Sequence, residues 1–454
     1  LTTDARMIII ALMKKSIPSL IFALLMLFAN PISAQKTDIS GKITKGRTTS
    51  LISVALDKFI LDASIVDNFD IAIADSLHEL LKSDLEYTLY FNVVQPDSAF
   101  LVDIVGKPMS LDDWIYIGAQ MLIKGRLSKR EGVFSLNIDV IETSRNKLMY
   151  SHEYLGESGR YRYLAHKVAD DLLQNLTGEK SVFFSKIVFS RDNGSGSQIY
   201  ICDFDGYNPI QIAPDPSPKP INVLPSWSAA GDKVYFTSYR KGNPDLYCYD
   251  FAANSAYPIS TRQGLNYSAV QSPDGKWLAV ALSYANNFEI YILDNSGKIQ
   301  KQVTYSRAID TSPTWSPNSK QLAFVSDRTG SPQIYVTDID GFNIRRLTYI
   351  GDYNCDPAWS PKGDRLAFTS RENGLFQIYT IDITGQNAYK LTDLGSNEAP
   401  AWSPDGLHIV YSSDANGAYE GAYSLWVMNF DGSGKRKLPI DGVCKSPSWS
   451  VNLR

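Results

Sequence analysis

In the second half of the chain, apolar and polar residues alternate in short runs separated by Gly, Pro, Asp and Asn. One unit reads "PTWS" from Pro313, "PNSK", "QLAFVS", "DRTGSP", "QIYVTDI", then Asp340–Gly341 and "NIRRLT". A period of two in runs rich in β-branched and aromatic residues predicts strands, and Asp-Gly predicts a tight hairpin. The next unit repeats the order with "PAWS", "RLAFTS", "QIYTIDI" and "YKLT". Trp-Ser recurs at Trp227, Trp315, Trp359, Trp402 and Trp449, with Gln271 at one position, in steps of 44, 44, 44, 43 and 47. Four strands per period of this length predict a β-propeller blade. A Trp at nearly every repeat is expected to pack between neighbouring blades.

The two ends of the repeat are incomplete. "KIVFS" at Lys186–Ser190 has no Trp-Ser strand before it, and "SPSWS" at Ser446–Ser450 has no strands after it. Each supplies what the other lacks, so the pattern predicts six blades closed by a C-terminal strand. Closure of this kind removes sheet edges.

Residues 35–180 lack the repeat. Ser50–Leu56 reads as a strand and Asn68–Leu85 as a helix by its spacing of apolar residues. A strand at "FNVV", a helix around "LDDWIYIGAQ" and three strands, "MLIKGRL", "GVFSLNIDVIET" and "KLMYSHEYL", follow. Arg162–Gly178 is an amphipathic helix stopped by Gly. The predicted fold class is thus an α/β N-terminal domain over 35–180 followed by an all-β six-bladed propeller over 186–454, with a short linker around Glu179–Ser185. Residues 1–34 read as a signal peptide starting at Met13, with Lys14 and Lys15, an apolar run Ile17–Phe28 and cleavage after Ala34. About 12 apolar residues are too few to span a bilayer, which takes roughly 20. The mature protein is expected to be exported and not to span a membrane.

Composition narrows the chemistry. A formal charge of −4 offers no basic footprint for nucleic acid. The four cysteines, Cys202, Cys248, Cys355 and Cys444, are not spaced as staples and are expected to be free thiols. Only His408 lies in the repeat region, while His78, His152 and His166 lie outside it without ligand spacing. Neither metal nor cofactor is expected. A propeller-capped serine hydrolase would need a Gly-x-Ser-x-Gly elbow between strand and helix. "GSGSQ" at Gly194–Gln198 instead falls in a loop between strands. The residues favour a binding module, with a propeller-type hydrolase as the alternative.

The order of these parts resembles the TolB family of periplasmic propeller proteins of the Tol–Pal envelope system. The resemblance is carried by "RYLAHKVADDLLQNLTG" running into "DFDGYN" at Asp203–Asn208, by "GAQMLIKGRL" at Gly118–Leu127, by "ISGKITKG" at Ile39–Gly46 and by the terminal "SPSWS". It implies a non-enzymatic periplasmic adaptor that binds the lipoprotein Pal through one propeller mouth. It also implies a mature N-terminus that contacts the inner-membrane protein TolA, and a role in outer-membrane integrity and cell division. The residues implied for the Pal face are Leu265, Ser268 and Thr311, with Asn266, Asp310, Tyr353, Asn354 and Glu398 from neighbouring loops. Each could equally be a solvated loop residue. The TolA arm would be Gln35, Lys36, Thr37, Asp38 and Ile39, which also reads as a plain edge strand. A propeller serving another envelope partner remains a further alternative.

Overall fold

The structure is a computed structural model that describes residues 51–65, 67–97, 108–285, 287–415 and 421–453. All of them belong to one compact unit. The predicted signal peptide and the arm Gln35–Ile39 lie outside the described residues.

The segment before the repeats folds as a six-stranded sheet under helices. Strands β1 (Ile52–Leu56), β2 (Ile60–Leu61), β3 (Phe91–Val93), β4 (Met121–Arg130), β5 (Val133–Glu142) and β6 (Lys147–Glu157) form it in the order β3-β1-β4-β5-β6, with β2 beside β4. Helix α1 spans Asn68–Tyr87, and its Asp67 cap accepts from the Phe69 amide at 2.7 Å. Helix α2, Leu111–Tyr116, is shorter than its apolar pattern suggests. The left-handed Gly118, at φ 88°, follows it closely. Helix α3, Tyr161–Thr177, ends as expected on left-handed Gly178. Leu77, Leu81 and Leu85 of α1 meet Leu164, Val168 and Leu172 of α3 over Leu127, Leu136 and Ile138 of the sheet. The opposite face of β4 and β5 exposes Lys124, Arg126 and Asn137, the usual one-sided antiparallel arrangement.

The repeats form six four-stranded blades. The closing blade joins β7 (Lys186–Asp192), β8 (Ser197–Asp203) and β9 (Ile210–Ile212) to β30 (Val443–Trp449), which pairs with β7 from Val443↔Asp192 to Trp449↔Ile187. The propeller is therefore closed by its C-terminal strand. The other inner strands are β10 (Asn222–Trp227), β14 (Asn266–Gln271), β18 (Asp310–Trp315), β22 (Asn354–Trp359) and β26 (Asn397–Trp402). Each begins earlier than its Trp-Ser signature indicates, because each is broken by a bulge. Leu224, Ser268, Ser312, Asp356, Ala399 and Ser446 sit there in the left-handed region, at φ between 50° and 55°. A proline follows five of the six: Pro225, Pro313, Pro357, Pro400 and Pro447. Proline lacks the N–H that a bulge would strand, so it fits the interruption.

The repeated Trp side chains are buried at the seams between blades. Trp227, Trp315 and Trp402 donate their indole N–H to the carbonyls of Ser448, Val270 and Ala358 in the neighbouring blade, at 3.2, 3.0 and 3.1 Å. Trp449 donates to Ser185 Oγ at 2.7 Å. Trp359 is buried alike, but its N–H has no acceptor. Gln271 replaces the indole with polar contacts: its amide donates to Tyr235 Oη and Asn295 Oδ1 and accepts from the Ala229 amide. A cleft of about 420 Å³ remains there.

Candidate functional site

Each blade has a hairpin end and a loop end. The hairpin end carries the Ser-Pro-Asp-Gly and Asp-Gly turns. Gly341, at φ 78°, shows why glycine recurs: an added Cβ would lie 2.3 Å from the Val303 carbonyl of the preceding blade. The loop end carries the connections into each inner strand.

The hairpin end meets the N-terminal domain. Tyr87, at the end of α1, stacks on His408 with ring centres 4.0 Å apart and planes 5° apart, and the Arg436 guanidinium lies 4.7 Å from the Tyr87 ring. Burial acts to raise the Asp405 pKa. The neighbouring His408 imidazole, its Nδ1 3.9 Å away, with hydrogen bonds from Ser403 Oγ and the Leu407 amide, outweighs it and holds the carboxyl below its usual range. Alongside, Asp84 of α1 and His166 of α3 are 2.8 Å apart, and Arg162 pairs with Asp205 of the "DFDGYN" turn while stacking on Tyr207. Burial raises the Asp84 pKa against the opposing pull of His166. These contacts explain the physical tie between the α3 sequence and the first Asp-Gly turn.

The loop end is open, and its loops are tied down from beneath. Asn266 donates to the carbonyls of Pro244 and Arg262, at 3.1 and 2.8 Å. Asn354 donates to Gln333 Oε1 and the Ile350 carbonyl, at 2.8 and 2.7 Å. Asp310 receives the Arg328 guanidinium at 3.0 Å. All three are fully buried. This corrects their expected place on a partner-facing surface: the first residue of each inner strand turns inward to anchor the loop above it. Asn222 and Asn397 occupy the same position in their blades and were not among the sequence candidates. The signal that could have found them is Asn or Asp recurring five residues before the Trp position.

Leu265, Ser268, Thr311, Tyr353 and Glu398 are half-buried at this end. The Leu265 amide donates to Ser283 Oγ at 2.8 Å, and Tyr423 Oη donates to Glu398 at 2.7 Å. Tyr353 lies edge-on to Phe376 and under Arg371. Beyond them stand apolar side chains that sequence reading passed over. Tyr305 is 75% exposed, Tyr349 72% and Leu394 73%, and Tyr284 is also exposed. Tyr305 and Tyr349 follow Thr304 and Thr348, whose hydroxyls accept from the backbone N–H of Ile290 and Ile334 in the third strand of the same blade, each at 2.9 Å.

Among the described residues no cluster of His, Cys, Asp and Glu could hold a metal ion. All four cysteines are free and buried. No described helix is long and apolar enough to cross a membrane.

Comparison with known proteins decides the family. A model of the TolB beta propeller domain matches residues 173–453, and one of the TolB amino-terminal domain matches residues 42–149. The chain belongs to the TolB family. It is 34% identical over 240 residues to the Tol-Pal system protein TolB of Desulfosudis oleivorans, covering 52% of this chain and 54% of that one. It is also 34% identical over 285 residues to a TolB homolog of Chlorobium chlorochromatii, covering 61% of this chain and 60% of that one. These matches span between half and two thirds of the relatives' length. The crystal structure of TolB from Acinetobacter baumannii superposes with a TM-score of 0.72 at 25% identity, covering 89% of this chain and 97% of that one. Relatives in this family carry the name Tol-Pal system protein.

Proposed function

We propose that this TolB-family protein is a non-enzymatic periplasmic adaptor that binds a Pal-like lipoprotein through the loop end of the propeller. A TolA-like inner-membrane protein would be held by the arm Gln35–Ile39, so that the protein supports outer-membrane integrity and division. The observation that carries this reading is the exposed set Tyr284, Tyr305, Tyr349 and Leu394 on the loop end. Large aromatic and aliphatic side chains left in water around one mouth are what a protein interface uses as anchors. The hairpin end, by contrast, already carries the N-terminal domain through Tyr87, His408, Arg162 and Asp205. The partner surface is assigned to Leu265, Ser268, Thr311, Tyr353 and Glu398 together with that apolar set.

Affinity capture from envelope extract tests the reading. The wild-type protein recovers a Pal-like lipoprotein, Thr311→Arg and Tyr305→Ala/Tyr349→Ala recover far less, and both variants melt like the wild type. Deleting Gln35–Ile39 weakens capture of a TolA-like protein while leaving the lipoprotein bound. Equal recovery by Thr311→Arg would remove the loop end from consideration.

A further inference from the structure

Five seams of the propeller bury an indole, but the seam between the β10 and β14 blades has Gln271 instead, and Gln271 is only half-buried. A second filling is missing at the same seam. In the β22 and β26 blades the turn glycine after the Trp packs on the turn proline of the preceding blade. An added Cβ at Gly363 would lie 3.7 Å from Pro317, and one at Gly406 would lie 3.3 Å from Pro361. The equivalent glycine here is Gly275, and Ala229 takes the place of the proline. An added Cβ at Gly275 meets nothing within 4 Å. Two small replacements on facing blades thus open the cleft of about 420 Å³, walled by Ala229, Ala230, Pro273, Tyr235 and Tyr257. Interiors pack too closely for such a gap to be ordinary, and its volume falls in the range of about 300–1,000 Å³ that small-ligand sites occupy.

The polar groups in the cleft restrict what enters it. Tyr235 is only 2% exposed, and its hydroxyl accepts from the Gln271 amide at 3.2 Å. Among the described residues the hydrogen of that hydroxyl has no acceptor. Gln271 Oε1 does not take it, being occupied by the Ala229 amide at 2.9 Å. A buried donor left without an acceptor is costly, so a ligand carbonyl is favoured there. Asp232 and Asp274 also line the cleft, while Lys233 is drawn to Asp250 at 2.7 Å. This charge repels an anionic ligand and leaves a neutral carbonyl as the suitable acceptor.

We propose that the cleft is a recognition pocket for an indole-sized aromatic side chain of a peptide, with a neutral amide carbonyl beside that ring accepting from Tyr235. The ring replaces the indole that the other seams supply from within the chain. The contacts described for the N-terminal domain fall on Asp205, His408 and Arg436, in the closing blade and the β26 blade. The pocket lies at the hairpin end between two other blades, so it stands independently of the lipoprotein reading.

Saturation-transfer NMR titrations of the purified protein test the proposal with three probes. N-acetyltryptophanamide, standing for a peptide Trp, binds saturably with a dissociation constant of about 1 mM. N-acetylleucinamide does not bind, and indole-3-acetate, a free aromatic acid, binds at least about fivefold more weakly. The double variant Ala229→Pro/Gln271→Trp restores the pair found at other seams, melts at or above the wild type and loses the binding. Tyr235→Phe keeps the ring, removes the donor and weakens N-acetyltryptophanamide about fivefold, which reads the same contact should the double variant fail to fold. Absence of saturable N-acetyltryptophanamide binding overturns the proposal, and so does binding indifferent to Tyr235→Phe or retained by a folded double variant. Equal binding of indole-3-acetate assigns the cleft to free aromatic acids and overturns the peptide as its occupant.

Discussion

At the residue scale, the seams between blades provide an internal comparison. Trp315 and Trp359 are equally buried, but only the Trp315 indole N–H has an acceptor, the Val270 carbonyl. A hydrogen bond of this kind is worth about 1 kcal/mol net, and an unmade one is a cost already present in the folded state. Trp315→Phe should therefore lose roughly 1 kcal/mol more than Trp359→Phe in urea denaturation. Trp359→Ala removes the packing as well and should cost about 3–5 kcal/mol. Equal losses for the two Phe variants would show that the acceptor contributes nothing. The Trp positions were legible in the sequence because they recur at nearly equal steps, with Gln271 the one replacement. The buried Asn266, Asp310 and Asn354 were not, since a polar residue in a loop reads as solvated. Only the folded loop reveals the carbonyls beneath it.

Two elements carry the architecture, α3 and β30. The span of α3 follows from its apolar spacing and from Gly178, so its end was readable to within a residue. The inner strands were less readable, because the left-handed residue before each proline resets the alternation and hides the first half of the strand. β30 was found by counting: one strand was missing at the start of the repeats and one was left over at their end. Truncation after Val443 removes nearly all of β30 and with it the pairing of Cys444–Trp449 to β7. The truncated chain should lose its single cooperative transition and be cut by protease at native conditions. A variant that melted like the wild type would disprove closure through this strand.

On the scale of the whole molecule, the N-terminal domain and the propeller share a buried polar seam. Asp405 belongs to it through His408 and Tyr87. Its carboxyl pKa is held below the usual 3.8. A carboxyl depressed on folding stabilises the fold above its unfolded pKa, and that contribution disappears as pH falls through the folded value. Asp405→Asn should thus melt below the wild type at neutral pH, and the gap should narrow below about pH 4. A gap of constant size across that range would mean that charge at Asp405 does not act on stability. The seam was only half legible: α3 and "DFDGYN" stood out by resemblance, but nothing in either sequence announced that Arg162 and Asp205 meet.

The strand that seals the ring follows every other blade strand in the chain. A ribosome therefore finishes all the other strands of the six sheets while the first of them still lacks its innermost member. Without β30 the ring is a horseshoe with two unpaired rims. Whatever order the other blades fold in, the ring cannot seal before those few residues take their place beside β7.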